Sequence, residues 1–526
     1  MKRILSLFLL SCSFVFLNAQ ELPKLIPNSP EAQAFAEYGS TPVNMYVGKP
    51  EIAIPIYTIK SGPIEMPISL TYDASGIKVN QLATSVGLGW NLNLGGMITR
   101  NVKGLPDQGN GADVKVYSEE VQDLFDFFIG GSNVLPIVQS DDIEANKVKS
   151  ILSKYEISDV DLEADTFTFS AAGLSGTIVI DYKNSQAFCQ EHPDIIVNYQ
   201  FNSNIQSWEI IDTHGIKYTF SQKETTWSDF SILGNEYDNL YTSAWYLTEL
   251  SHNNNSIQLN YSSGVEWQNE QEAFNNEVTI YNGDLDCHTG EVTFSTHNPP
   301  VNIGEYKIRQ PTLSTVKVNG ELALSVKQSS TDRADLAGRK KIDGIVIHST
   351  LTGDRVKAFE FVHSYFTTPE GFDNELNKRL KLDEIRTYGQ DNNTSSQWPI
   401  TGAQYQSYFF HYINENQLPA RDSASQDYWG YYNGSPHNGM VAGNTDRRYE
   451  LMNLSVQGGI SNNGANRKPN FDKLQNGTLN KITYPTGGST QFYYRQLRNM
   501  YTGYEKIEPM TFSFTGGVIP VTSQEY

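Results

Sequence analysis

Isoleucines at 52, 54 and 56 alternate with small or polar residues and Pro55, and Ile64, Met66, Ile68 and Leu70 resume the alternation after Ser61-Gly62-Pro63. A period of two turns one face of each run toward a core, and the turn between the runs predicts a hairpin. Proline cannot donate to a strand ladder, so the first run reads as an edge strand. Trp90, Leu92 and Leu94 repeat the pattern ahead of Gly95-Gly96. Residues 43–104 therefore read as a compact group of hairpins.

Two stretches have a helical period instead. Ser29 is placed to cap a short helix over 29–38, with Pro30 at its first position, Glu31 in the first turn and Gly39 at its end. Val121, Leu124, Phe125 and Phe128 recur at helical spacing behind Ser118, and Ile143, Val148, Ile151 and Leu152 suggest a second segment. These predict helices over about 118–129 and 143–155.

From about residue 165 the period returns to two. Phe167 and Phe169 alternate, and Trp208 to Ile211 runs into Asp212-Thr213-His214-Gly215 before Lys217 to Phe220. Asn319-Gly320 between Val316-Lys317-Val318 and Leu322-Ala323-Leu324 is a strong hairpin signal, and Thr352-Gly353-Asp354 joins two similar runs. A loose repeat emerges. Leu247-x-x-Leu250 leads to Ile257-x-Leu259-x-Tyr261, Leu382-x-x-Ile385 to Tyr408-x-Phe410-x-Tyr412, and Leu479-x-x-Ile482 to Thr490-x-Phe492-x-Tyr494. A single hairpin of this kind cannot bury its apolar face, so the units are expected to stack.

The predicted fold is mainly β: antiparallel hairpins stacked into extended or sandwich-like sheets, with a small helical insertion. Its parts are a signal peptide (1–19), a β-hairpin region with a short leading helix (20–115), the helical insertion (116–164) and a β-rich scaffold region (165–526). Gly 41, Tyr 30 and 12% aromatic residues beside 19% charged ones fit strands and tight turns.

The signal reading rests on Lys2 and Arg3, the apolar stretch Ile4 to Leu17, and Leu17-Asn18-Ala19 as a small-residue cleavage site before Gln20. Lipid anchoring at Cys12 is disfavoured, because Phe14 to Leu17 would then waste half of the apolar stretch. Cleavage leaves 37 basic against 59 acidic side chains, a net charge of −22 in place of −20. That acidity argues against nucleic acid as a partner. No later run reaches 18 apolar residues, so no membrane span is expected. An exported chain with Cys189 and Cys287 has an even count that permits one disulfide, although two buried thiols fit as well.

Searches for catalytic chemistry return little. Gly173-Leu174-Ser175-Gly176 has the wrong spacing for a nucleophile elbow. The nine histidines, among them His214, His288 and His411, show no metal-ligand spacing, and no C-x-x-C exists. Gly87-Leu88-Gly89-Trp90 lacks a third glycine and opens a strand, so it is not a dinucleotide fingerprint. No catalytic, metal or cofactor-binding residue is assigned, and no cofactor is expected. Asp159, Asp161, Glu163 and Asp165 would share one strand face, where a solvated edge is favoured over a calcium site. Asp284-x-Asp286 with Gly290-Glu291 is a calcium loop interrupted by Cys287 and His288. Asp427-Tyr428-Trp429-Gly430-Tyr431-Tyr432 is the best local candidate for a sugar-stacking platform, with core packing as the commoner use of such rings.

Several segments taken together resemble the N-terminal region of large secreted Rhs/YD-repeat proteins of Gram-negative bacteria. They are Pro42 to Pro50, Ile54-Pro55-Ile56-Tyr57, Leu70 to Ile77, Gly87 to Leu92, Ala164 to Phe169, Ser243 to Leu247, Asp427 to Gly434 and Lys481 to Gly488. The resemblance covers most of residues 40–495. In that family the later YD repeats form a wound β-sheet shell, which in some members encloses a C-terminal toxin. The repeat array, the core motif, a toxin tip and a sorting domain do not appear before Tyr526, so encapsulation and release are not carried over. The resulting expectation is a non-catalytic, exported β scaffold, secreted or at the cell surface, that heads a surface or toxin-delivery protein. Its expected partners are downstream repeats or a toxin domain where these are encoded. The alternatives are a carbohydrate-binding adhesin module, with glycans as partners, and a glycan-active hydrolase with carboxylates on loops.

Overall fold

The computed structural model describes residues 43–44, 49–103, 106–107, 164–181, 184–202, 204–232, 235–273, 302–369, 374–390, 398–427, 429–435, 466–496 and 518–523. The expected signal and its cleavage site, the helices over 29–38, 118–129 and 143–155, Asp159, Asp161, Glu163 and the Asp284 loop with Cys287 lie outside the described residues. The fold is mainly β and antiparallel, as the alternation predicts.

Strands Ile52–Ser61, Ile64–Tyr72 and Trp90–Asn93 form a three-stranded sheet with the first at its edge, where Pro55 is tolerated. A bulge between Pro55 and Tyr57 shifts the phase, so buried Ile52, Ile54 and Ile56 give way to Ile59.

The second sheet starts at Gly96–Asn101. Among the described residues its pairings close a ring of eight strands. Gly96–Asn101 pairs with Thr166–Ala171, and the order continues through Leu174–Asp181, Gln186–Cys189, Ile196–Asn202, Asn204–Ile211, Lys217–Ile232 and Asn235–His252. The last strand returns to the first through Ala244↔Thr99, Trp245↔Ile98 and Tyr246↔Met97. Bulges near Phe220 and between Glu224 and Thr225 bend the long hairpin, so it changes neighbours along its length. Trp208 and Trp245 meet edge to face at 5.8 Å inside the ring, and Phe167 stacks on Trp208 at 4.9 Å.

Beyond the ring the chain winds on strand by strand. Asn255–Ala273, Asn302–Val318, Glu321–Gln328, Ile342–His348, Arg355–Thr367, Lys378–Tyr388, Gln406–Tyr412, Leu479–Thr483, Ser489–Gln496 and Val518–Ser523 each pair antiparallel with the next. The Asn319-Gly320 hairpin is present, with φ of 50° and 90° at its two turn residues.

The three repeat units share one device. In each, the residue after the first leucine (Thr248, Asp383 or Asn480) is an extra bulge residue with no partner in the register. The bulge explains the sequence spacing. Leu247 and Leu250, Leu382 and Ile385, and Leu479 and Ile482 all face the core although three positions separate each pair. A bulge disrupts the ladder, and in each unit the closing tyrosine donates to the carbonyl of that first leucine. Tyr261 Oη reaches Leu247 O at 2.7 Å, Tyr412 Oη reaches Leu382 O at 2.6 Å, and Tyr494 Oη bonds Leu479 O.

The segment 73–89 docks on this wound sheet. Leu88 N donates to Leu380 O at 2.8 Å, Ile342 N to Ser85 O at 2.9 Å, and Val79 N to Gly430 O at 2.9 Å. Gly87 and Gly89 have φ of 129° and 77°, and a Cβ at either would press on Leu382 or the Tyr72 ring. Two buried arginines tie down the same segment and a third supports them. Arg379 reaches Val79 O and Pro419 O, Arg333 reaches Ala83 O and Thr84 O, and Arg421 reaches Asp335 O. Trp90, fully buried, sits between Tyr72 and Phe410, and its indole N–H donates to Tyr412 Oη at 2.8 Å.

Two expectations are corrected. Helix is not confined to the N-terminal third, because Phe471–Leu474 forms a short α-helix and Glu375–Asn377 a 3-10 turn. Asn470 and Asn374 cap them through side-chain oxygens, a local signal that the period-two reading passed over. Asp165 is not on a solvated edge. It is buried, with Lys103 N and Asp107 N donating to it at 3.0 Å each and Arg100 Nη1 3.6 Å away. The Arg100 guanidinium lies over both Trp245 and Phe167, at 5.4 and 5.5 Å.

Trp90→Ala should cost about 3–5 kcal/mol in chemical denaturation, through the cavity it leaves. Asp165 supplies a pH test. Burial, with the Asp107 charge second, pushes its carboxyl up from 3.8 to about 7. The folded state then binds this proton more tightly than the unfolded chain does. Its contribution is full below about 3.8 and is lost as pH rises toward 7. His363, held down to about 3 mainly by burial, acts oppositely and loses stability as pH falls from 6.5. Asp165→Asn should therefore remove a decline in stability between pH 4 and 7 while leaving the acid-side loss from His363 in place, as read by urea midpoints across that range.

Candidate functional site

A cleft of about 290 Å³ lies where the ring, the docked segment and the wound sheet meet. Its floor includes Ala83, Tyr246, Leu336 and Ile342, all buried, and Thr84, Asn91 and Met97 form an exposed rim. The bulge between Glu224 and Thr225 bends the strand that carries Glu224 beside the one that carries Gln310.

Arg339, Gln310 and Tyr246 line the cleft and head a chain of polar side chains that runs on to Glu224. Arg339 donates to Gln310 Oε1, Gln310 Nε2 donates to Tyr246 Oη at 2.9 Å, and Tyr246 Oη donates to Glu224 Oε2 at 2.8 Å. Ser243 Oγ donates to the other Glu224 oxygen at 3.0 Å and accepts from Thr226 at 2.9 Å. Burial pushes the Glu224 carboxyl up, against the opposing pull of the Tyr246 and Ser243 hydroxyls and the Arg339 charge. Burial, then the Glu224 charge, pushes the Tyr246 phenol well above its ordinary value. Arg339 is held below its ordinary value, first by burial and then by Arg333. Arg333 itself is clamped by Asp335 at 2.9 and 2.6 Å.

Leu92, Leu94, Leu313 and Val326 add aliphatic surface to the lining. Tyr261 links the cleft to the repeat device, because its ring meets Tyr246 at 5.6 Å while its hydroxyl closes the first unit. The lining thus combines polar groups with aliphatic surface. Such a site can hold a small polar molecule. The carboxylates beside it, Glu224 and Asp335, are committed to hydrogen bonds within the protein.

The sequence candidates are placed elsewhere. Asp427 is buried and folds its own loop, its Oδ1 accepting from Trp429 N at 2.8 Å and Tyr431 N at 2.9 Å. Tyr431 joins the core while Trp429 is 37% exposed, so these rings do not share the flat face a sugar platform needs. His214 and His411 are exposed, and His214 sits in a turn closed by Asp212. Cys189 is buried, with its Sγ 3.7 Å from Glu191 Oε2. Among the described residues, no group of three or more His, Cys, Asp or Glu is placed to hold a metal ion, and no helix is long and apolar enough to cross a membrane. Glu224, Gln310 and Arg339 escaped the sequence reading because no motif spacing joins strands so distant in the chain. Tyr246 stands within the Ser243–Leu247 segment, where nothing local marks it for a site.

No family model matches the chain, and no curated protein matches it. Among solved structures it is similar to TcdB2-TccC3, at 10% identity and a TM-score of 0.31, over 71% of this chain and 17% of that one. A TcdB2-TccC3-TEV structure is similar at 10% identity and a TM-score of 0.32, over 70% and 16%. The N-terminal domain of effector protein SpvB from Salmonella typhimurium strain LT2 is similar at 11% identity and a TM-score of 0.22, over 70% of this chain and 97% of that one. The chain thus spans about a sixth of the first two structures' length. Likeness of this order establishes neither a family nor a function.

Proposed function

We propose that the chain is a non-catalytic β scaffold of an exported surface or toxin-delivery protein, built like the N-terminal region of the Rhs/YD-repeat proteins that its sequence resembles. The observation that carries this reading is the tyrosine-to-leucine-carbonyl bond at the bulge of all three repeat units. A device repeated along a winding sheet serves strand stacking, since each unit buries its face against the next.

The segments behind the resemblance do the same kind of work. Gly87 and Gly89 permit close backbone approach, Trp90 bridges the small sheet to Tyr412, Trp245 fills the ring, and Asp427 and Tyr431 fix a loop against Val79. On this reading the wound sheet presents or continues into further domains of a longer secreted protein. Repeats or a toxin domain are the partners that the resemblance implies.

Incubating residues 20–526 with a panel of glycans and peptides should yield no turnover. Turnover abolished by one Asp or Glu substitution that leaves the melting temperature unchanged would overturn the scaffold reading in favour of a hydrolase.

A further inference from the structure

We infer that the cleft between Tyr246, Gln310 and Leu313 binds a neutral sugar ring. The two arginines that line it are balanced by carboxylates beside the cleft. Arg339 is offset electrostatically by Glu224, and Arg333 is clamped by Asp335. A free anion or cation would meet no net opposite charge there, whereas a neutral ligand pays no such penalty.

The hydrogen-bonding pattern narrows the class. The polar groups lining the cleft, Arg339, Gln310 and Tyr246, are of mixed kind: a guanidinium donor, an amide that both donates and accepts, and a phenol oxygen. Sugar hydroxyls both donate and accept, so they match a mixed wall better than a carboxylate, which only accepts, or an ammonium, which only donates. Leu92, Leu94, Leu313 and Val326, which line the same cleft, suit the C–H face of a pyranose. The volume of about 290 Å³ is at the lower end for small-molecule sites and fits one ring better than an extended chain. The exposed rim of Thr84, Asn91 and Met97 gives access from solvent. This site is separate from the Asp427–Tyr432 run, and it does not depend on the scaffold reading.

The test is saturation-transfer NMR with titration calorimetry on the full chain. The probes are glucose, galactose, mannose and N-acetylglucosamine, with galacturonate and benzoate as anionic controls. At least one neutral sugar should bind saturably, with a dissociation constant of about 1 mM or tighter. Gln310→Ala should weaken it at least about tenfold. Leu313→Trp, which fills the cleft, should abolish it, and Trp429→Ala should leave it unchanged. Melting temperatures certify that each variant is folded, and the two cleft variants act through different lining residues, so one folded variant suffices. Absence of binding by all four sugars, binding confined to the anionic controls, or binding lost in Trp429→Ala but kept in a folded cleft variant would each overturn the assignment.

Discussion

A strand that gains one residue must place the extra backbone somewhere, and this chain handles the problem the same way three times. At Thr248, Asp383 and Asn480 the register slips by one, and a tyrosine hydroxyl from the following strand takes up the carbonyl just before the slip. A buried carbonyl without a donor is costly, so the bond is a condition for the bulge to exist in a core. The bulge in turn lets hydrophobic residues three apart face one side and adds twist to the sheet. At Tyr412 the device also carries the small N-terminal sheet, because the same hydroxyl that donates to Leu382 accepts from the Trp90 indole. Tyr72 extends the link by accepting from Leu479 N.

Around this frame the chain buries charge as well as apolar surface. Arg333 and Arg379 are buried against the docked segment and Arg421 against the Asp335 loop, and their guanidinium hydrogens satisfy carbonyls that strand pairing does not reach. Arg100 and Asp165 do related work in the ring, where the cation rests on two aromatic faces. The cleft lies where these pieces meet. Segments that cannot all interdigitate leave a space, and the polar side chains needed to satisfy their backbones and one another come to line it.

Much of this was legible in the residues. Period-two alternation located strands in both sheets, among them Ile52–Ser61, Ile64–Tyr72 and Thr166–Ala171, Asn319-Gly320 marked its turn, and the Leu-x-x-Leu/Ile and tyrosine spacing revealed the repeat before its cause was visible. The cause was hidden because a bulge appears in sequence only as a skipped beat. The eight-strand ring was hidden too, since Ala244 to Tyr246 meet Met97 to Thr99 across a long stretch of chain with no local signal. Asp165 was misplaced because alternating acids look alike whether the strand edge faces water or a buried arginine. The cleft depends on Glu224, Tyr246, Gln310 and Arg339 converging from separate strands and a loop, which only tertiary structure brings about.

If the hydroxyl-to-carbonyl bond holds each unit together, removing one oxygen from its tyrosine should have the same consequence at all three places. Tyr261→Phe, Tyr412→Phe and Tyr494→Phe keep the ring and delete only the donor, so urea denaturation of the three variants measures that bond directly. The account predicts a loss of about 1–3 kcal/mol in each, the cost of a buried group left without its partner. It also predicts the largest loss at Tyr412, where the Trp90 indole loses its acceptor as well. Three variants with wild-type stability, or a loss confined to one unit, would contradict the claim that a repeated lock builds this sheet.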